Sequence, residues 1–254
     1  ALLASQSALA CTLDNWSTSS GAVTAGDPLP NPPSSDPVIP RYSGFCGMQV
    51  SGLGYVQDDN PGNIDRIVAR FYVLRPSSGT VEVYAGYGES NGTVELFNVT
   101  VDSSGQVILT DADTGQTATQ TGSTQWLSVE IDWIQDASNG RVSLLVNGGE
   151  SDGGNPDLNE GFGNDIGNEL TSVRLGNLDG AAVGTIGFDA YESRRSTGVG
   201  RLLAADANDN GIVNIADASA IVAELNQTLQ SGQPDCNENG VVNLTDASCV
   251  IAQL

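Results

Sequence analysis

A twelve-residue segment near the carboxyl end occurs twice, and that repeat limits the chain's options more than any other feature. Asp206-Ala-Asn-Asp-Asn-Gly-Ile-Val-Asn-Ile-Ala-Asp217 returns 29 residues later as Asp235-Cys-Asn-Glu-Asn-Gly-Val-Val-Asn-Leu-Thr-Asp246. Both copies fit Asp-x-Asn-x-Asn-Gly-x-x-Asn-x-x-Asp. Side-chain oxygens at positions 1, 3, 5, 9 and 12, with a main-chain carbonyl at 7, let a tight loop wrap a hard cation that takes six to eight oxygen ligands. The expected ion is Ca2+. Its first set of ligands would be Asp206, Asn208, Asn210, the Ile212 carbonyl, Asn214 (often through water) and Asp217. The second set would be Asp235, Asn237, Asn239, the Val241 carbonyl, Asn243 and Asp246. Gly211 and Gly240 stand at position 6, where the chain must turn sharply. Asx turns without metal would also use these residues, but two matching copies weigh against that reading.

A helical run follows each loop. Ala218, Ile221, Val222 and Leu225 are echoed by Ala247, Val250, Ile251 and Leu254, apolar at the 3.6-residue spacing. Loops of EF-hand type, duplicated and each followed by one helix, resemble the type I dockerin over Asp206–Leu254. The resemblance implies a cohesin-like protein partner facing loop positions 10 and 11, here Ile215-Ala216 and Leu244-Thr245. The Lys or Arg common further along that helix is absent; Val222-Ala223 and Ile251-Ala252 stand there instead. This leaves an apolar helical face for another surface.

Upstream the period changes from 3.6 to 2. Leu127, Val129, Ile131 and Trp133 alternate with Ser128, Glu130 and Asp132, which marks a half-buried strand. Similar runs are 67–74, 81–85, 94–101, 107–109, 142–146, 173–175 and 186–191. Gly, Asn and Ser separate them at Ser77-Ser-Gly79, Ser90-Asn-Gly92, Ser103-Ser-Gly105 and Ser138-Asn-Gly140, residues that tolerate positive φ. So many short strands predict a mainly β protein, an antiparallel jelly-roll β-sandwich followed by the small α-helical dockerin-like domain. The stretches 173–180 and 187–195 resemble the last strands of laminin-G-like, concanavalin-like sandwiches, which implies carbohydrate or protein binding. The expected division is an apolar N-terminal segment at 1–10, the jelly roll at 11–195, a linker at 196–204 and the calcium-binding domain at 205–254. The proline-rich stretch 27–40 reads as an extended surface loop.

Charge removes whole classes of chemistry. The chain carries 31 Asp plus Glu against nine basic residues, all arginine, for a net charge of −22. Without His or Lys, no His-dependent triad or Lys Schiff base can form. Nucleic acid is excluded as a partner because displacing counterions from phosphates needs a basic face. No apolar run reaches the roughly 20 residues of a membrane-spanning helix. Four cysteines without CxxC spacing suit two disulfides in an oxidising, extracellular compartment. Of three connectivities, Cys11–Cys46 with Cys236–Cys249 keeps each bridge local and is preferred. Residues Ala1–Ala10 resemble the end of a signal peptide; alternatively, they add as a strand to a sheet edge of the same or a neighbouring chain.

An active site is not expected. Glu130-Ile-Asp132 begins like the catalytic strand of laminarinase-like β-glucanases, but Ile134 and Gln135 stand where the second Glu belongs. Acidic clusters at 58–65, 111–113 and 157–165 read as solvated turns or further calcium sites. Trp16, Trp126, Trp133, Tyr84 and Tyr87 are candidates for a sugar platform or for core packing. The expected function is a secreted, non-catalytic calcium-binding assembly protein whose partner is a cohesin-like domain or a copy of itself in a filament. The alternative is a polysaccharide-binding module carried to a scaffold by its dockerin.

Overall fold

The computed structural model describes residues 11–26, 39–44, 46–89, 94–136, 140–149, 157–162, 168–208, 210–225 and 232–254. Outside them lie Ala1–Ala10, most of the proline-rich stretch, the turn residues at 90–92 and 138–139, and the side chains of the 157–165 cluster. Among the described residues twelve strands follow one another: β1 Thr18–Gly26, β2 Gly47–Asp58, β3 Arg66–Leu74, β4 Thr80–Gly88, β5 Val94–Asp102, β6 Gln106–Asp111, β7 Thr117–Thr121, β8 Trp126–Ile134, β9 Gly140–Val146, β10 Asp157–Phe162, β11 Leu170–Asn177 and β12 Thr185–Arg194. Helices α1, Ile215–Glu224, and α2, Leu244–Ala252, close the chain.

All strand pairings are antiparallel. The order is β10-β9-β8-β3-β12-β2-β11-β4-β5-β6-β7, with β1 added to β2. The sheet bends over itself until β6 and β7 pack against β9, giving the expected β-sandwich. Gln120 fastens the closure. Its side chain is buried, donates from Nε2 to the Leu144 carbonyl and accepts at Oε1 from the Val146 N–H, each at 2.8 Å. One amide thus reproduces a ladder step where no strand pairing exists. Between the layers, rings run in series: Phe71 to Tyr84 at 5.1 Å, Tyr84 to Phe97 at 5.9 Å and Phe97 to Trp133 at 5.8 Å. Tyr84 is therefore a core residue, not part of a sugar platform.

Strands β1, β2, β7 and β10 fall outside the runs predicted from hydrophobic alternation. The reason is visible in β1 and β2. Their contact depends on close backbone approach at Gly21 (φ +74°) and Gly54, where an added Cβ would strike the opposite main chain. In β7, Thr-Ala-Thr-Gln-Thr, the inward positions are held by Ala118 and by Gln120 itself.

Strand β3 is unusual in being buried on both faces. Val68, Arg70 and Tyr72, on the face away from the core, are at most 4% exposed. Arg70 pairs with Glu192 of β12, and Tyr72 lies at a seam between the sandwich and the C-terminal module. Tyr42 stacks on Tyr72 at 3.7 Å and meets Trp126 edge-on at 6.0 Å. Gly232 and Gln233 donate their N–H groups to the carbonyls of Arg41 and Tyr42. Arg41 pairs with Glu224 of α1 at 2.9 Å, both side chains largely buried. Losing one member of such a buried pair costs about 3–5 kcal/mol. Residues 196–204, the expected linker, are held against the sandwich as a strap. Val199 and Gly200 donate to Glu130, and Leu202 donates to the Tyr72 hydroxyl.

Asp189 holds the start of this seam by accepting from the N–H groups of Tyr42, Ser43 and Ala190. Burial pushes its carboxyl up to about 6 despite those bonds. A group raised in the fold contributes stability that is complete below its unfolded value and lost as pH rises through 6. Between pH 4 and 7 the stability difference between wild type and Asp189→Asn should move by about 2 kcal/mol in the variant's favour. Urea denaturation across that range measures it. Gln120→Ala, which strips a buried donor and acceptor of their partners, should destabilise by about 2–4 kcal/mol in the same assay.

Candidate metal centre

The two loops fold almost bond for bond alike. In the first, Asp206 accepts from the N–H groups of Asn210 (3.0 Å) and Gly211 (2.6 Å). In the second, Asp235 accepts from Asn239 (3.1 Å) and Gly240 (2.6 Å). At the other end Asp217 accepts from Asn208 and Asn214, as Asp246 does from Asn237 and Asn243. Asn210 and Asn239 each accept from the N–H two residues on. Gly211 and Gly240 take φ of +82° and +86°. Nothing crowds the Cβ direction of Gly211, so the requirement there is conformational.

Positions 9 and 12 have a second task that motif reading did not anticipate. Asn214 and Asn243 are the N-caps of α1 and α2, and Asp217 and Asp246 stand at N3 and return to the cap N–H. Each loop therefore ends in a capping box, which fixes the direction in which its helix departs. Helices of ten and nine residues are marginal alone, so the caps matter. The two pack through a small core of Ala205, Ala218, Ile221, Cys236, Val242, Ala247 and Val250.

The donor set suits a hard divalent cation. Asp206, Asp217, Asp235 and Asp246 are all buried, and among the described residues no ion pair reaches them. Burial raises the Asp235 carboxyl, helped by the charge of Asp246. Two like charges held together out of water call for an external positive charge. The oxygens available for it are these carboxylates, the side-chain amides of Asn208, Asn210, Asn214, Asn237, Asn239 and Asn243, and the carbonyls of Ile212 and Val241. Among the described residues no three His, Cys, Asp or Glu side chains converge. Amides and carbonyls would therefore complete the coordination, and the ion would supply charge neutralisation and loop closure.

The loops differ in their surroundings. Glu238 of the second pairs with Arg201 of the strap, and Gly240 lies against Gln125 of the sandwich. Cys236–Cys249 ties this loop to α2, and Cys11–Cys46 closes the sandwich's first region, the connectivity preferred from sequence. The partner-facing candidates are open: Ile215 is 62% and Leu244 65% exposed, with Ala216 and Thr245 exposed beside them. Ile212, Val222, Val241, Ile251 and Leu254 add to the same module's apolar surface.

Residues 204–254 match the family model of the dockerin type I domain. The dockerin module accounts for the duplicated loops and both helices, while the sandwich lies outside the match. No curated protein sequence matches the chain. Among solved structures, the cellulose induced protein Cip1 is 16% identical at a TM-score of 0.44, with 63% of this chain and 84% of that one covered. Trypanosoma rangeli sialidase is also 16% identical, at a TM-score of 0.42, with 59% and 26% covered. This chain thus spans about a quarter of the sialidase, and neither likeness is close enough to transfer an activity or a ligand.

The remaining candidates are tied into structure. Glu130 holds the strap, and Asp132 takes a two-point ion pair from Arg66 and another from Arg141. Asp58 accepts from Asn60, and Asp111 from Asp113 and Thr114, as ordinary Asx turns do. Trp133 is core and Trp16 packs on Tyr191; Trp126 belongs to the seam. Tyr87 is half-buried and stacks on Arg174, away from the seam.

Because Asp217 serves loop and helix together, Asp217→Ala should cost α1 about 1–2 kcal/mol of local stability in calcium-free buffer. Asp217→Asn, which keeps an acceptor, should cost less. Hydrogen exchange of the α1 amides, rising roughly tenfold for alanine, checks it.

Proposed function

We propose that this chain is an extracellular, non-catalytic assembly component that docks through its dockerin module onto a cohesin-like protein, with calcium held in both loops. The observation that carries the reading is where the apolar surface lies. Of nine large apolar side chains exposed among the described residues, seven belong to the module, and six of these, Ile212, Ile215 and Val222 with Val241, Leu244 and Ile251, occupy matching positions of its two halves. Exposed apolar area concentrated in this way marks a protein-binding surface. The sandwich is read as non-catalytic because Glu130 and Asp132, its one echo of a hydrolase strand, are committed to the strap and to arginines.

Filament formation between copies is the other form of this reading, and it depends on Ala1–Ala10, which lies outside the described residues. A second reading keeps the docking and makes the sandwich a polysaccharide-binding cargo; an aromatic and polar strip on its outer face favours it. Capture on immobilised cohesin domains should require calcium and fall by tenfold or more in an Ile215→Asp, Leu244→Asp double variant. Capture that ignores EDTA and both substitutions would contradict the docking surface. Negative-stain images of the chain with calcium separate the forms, since only self-assembly yields filaments.

A further inference from the structure

The outer face of the sandwich, away from the seam, carries a row of side chains that neither the dockerin match nor the core explains. Arg174 of β11 is held between two tyrosines from the strands on either side. Its guanidinium carbon lies 4.7 Å from the ring centre of Tyr55 on β2 and 4.3 Å from that of Tyr87 on β4. Its Nε donates to Gln57 Oε1 at 2.7 Å. The backbone register explains how the rings fit. Tyr55 lies opposite Gly176 and Tyr87 opposite Ser172, so small residues leave both rings free to lean over Arg174. A Cβ at 176 would collide with the main chain of Gly54 and Tyr55. Beside the row, Ser172 is 3% exposed and its Oγ has no hydrogen-bond partner. On the next strand Asn98 donates to Glu95 at 2.6 Å.

We infer that the strip Tyr55–Gln57–Arg174–Ser172–Tyr87 binds a neutral polysaccharide chain. This rests on the second reading above and names the site it would use. Three features of the strip select that chemistry. The row crosses three strands, about 10 Å at the usual interstrand spacing, and stands on a rigid sheet rather than on loops. It offers ring surface with guanidinium, amide and hydroxyl groups beside it, the mixture that pairs with the apolar faces and the hydroxyls of sugars. An apolar ligand would leave the Ser172 hydroxyl without a partner. An anionic one would meet Glu82 and Glu95, both close enough to act on Tyr87, on a chain of net charge −22. Glu82 is already crowded, its carboxyl pushed up to about 7 by burial and then by Glu95 and Asp179.

Affinity electrophoresis of the full chain in calcium, through gels containing mixed-linkage β-glucan, xyloglucan, galactomannan or polygalacturonate, tests the site. At least one neutral polymer should retard the wild type. Arg174→Ala and Tyr87→Ala should each weaken that retardation by about tenfold or more, and Tyr87→Phe by less. Cohesin capture by the same variants, measured in parallel, should not change, which separates failure of this site from failure of docking. Wild-type retardation by no neutral polymer, retardation by polygalacturonate alone, or retardation unchanged in Arg174→Ala and Tyr87→Ala would each overturn the inference. If Arg174→Ala fails to fold, Tyr87→Phe and Arg174→Lys, which keeps the charge but loses the fork, decide it.

Discussion

Two buried carboxylates of like charge in each loop, reached by no ion pair among the described residues, are the constraint on which the C-terminal module depends. Main-chain N–H groups take up part of their hydrogen-bonding capacity and orient them. Those bonds do not cancel the charge. The loop spacing is therefore a solution to two problems together. It gathers oxygens for a divalent ion, and it places Asn and Asp three residues apart at a helix start, where they cap it. A cation would join both tasks, since neutralising Asp217 or Asp246 secures the residue from which the helix sets out.

The module is also part of the sandwich's architecture. Tyr42, Tyr72 and Trp126 supply an aromatic contact, Arg41 and Glu224 a buried ion pair, and residues 196–204 a strap that follows the second face of β3. The second calcium loop sits at this seam through Glu238 and Gly240, whereas the first has no such anchor among the described contacts. Calcium in the second loop would thus bear directly on how the module is held, and calcium in the first would do so through α1, which Asp217 caps and whose Glu224 pairs with Arg41. The exposed pairs Ile215-Ala216 and Leu244-Thr245 remain accessible on a body that is already fixed in orientation.

What the sequence revealed, and what it hid, follows from the range of the forces involved. The duplicated loops were legible because their Asp, Asn and Gly positions are local and repeat at fixed spacing, whereas the capping role of positions 9 and 12 was not read from the motif. The strand from 127 to 133 was legible because one buried face imposes period 2. β1 and β7 were not, since glycine, threonine and one glutamine form them without an apolar stripe. The apolar run in β3, interrupted only by Arg70, was a sign of burial on both faces, but nothing local said what would cover the second. Tyr84 and Tyr87, three residues apart, were equivalent candidates until the bulge in β4 and the fold sent one into the core and the other outward. The Tyr55–Arg174–Tyr87 row joins residues more than a hundred positions apart, and only the strand order brings them together.

The central claim is that both loops hold calcium. Elemental analysis of the full chain after equilibrium dialysis in calcium, followed by melting with and without chelator, tests it most directly. The account predicts two Ca2+ per chain and a lower melting temperature once they are removed. A chain that retains no calcium, and melts identically in EDTA, would contradict it.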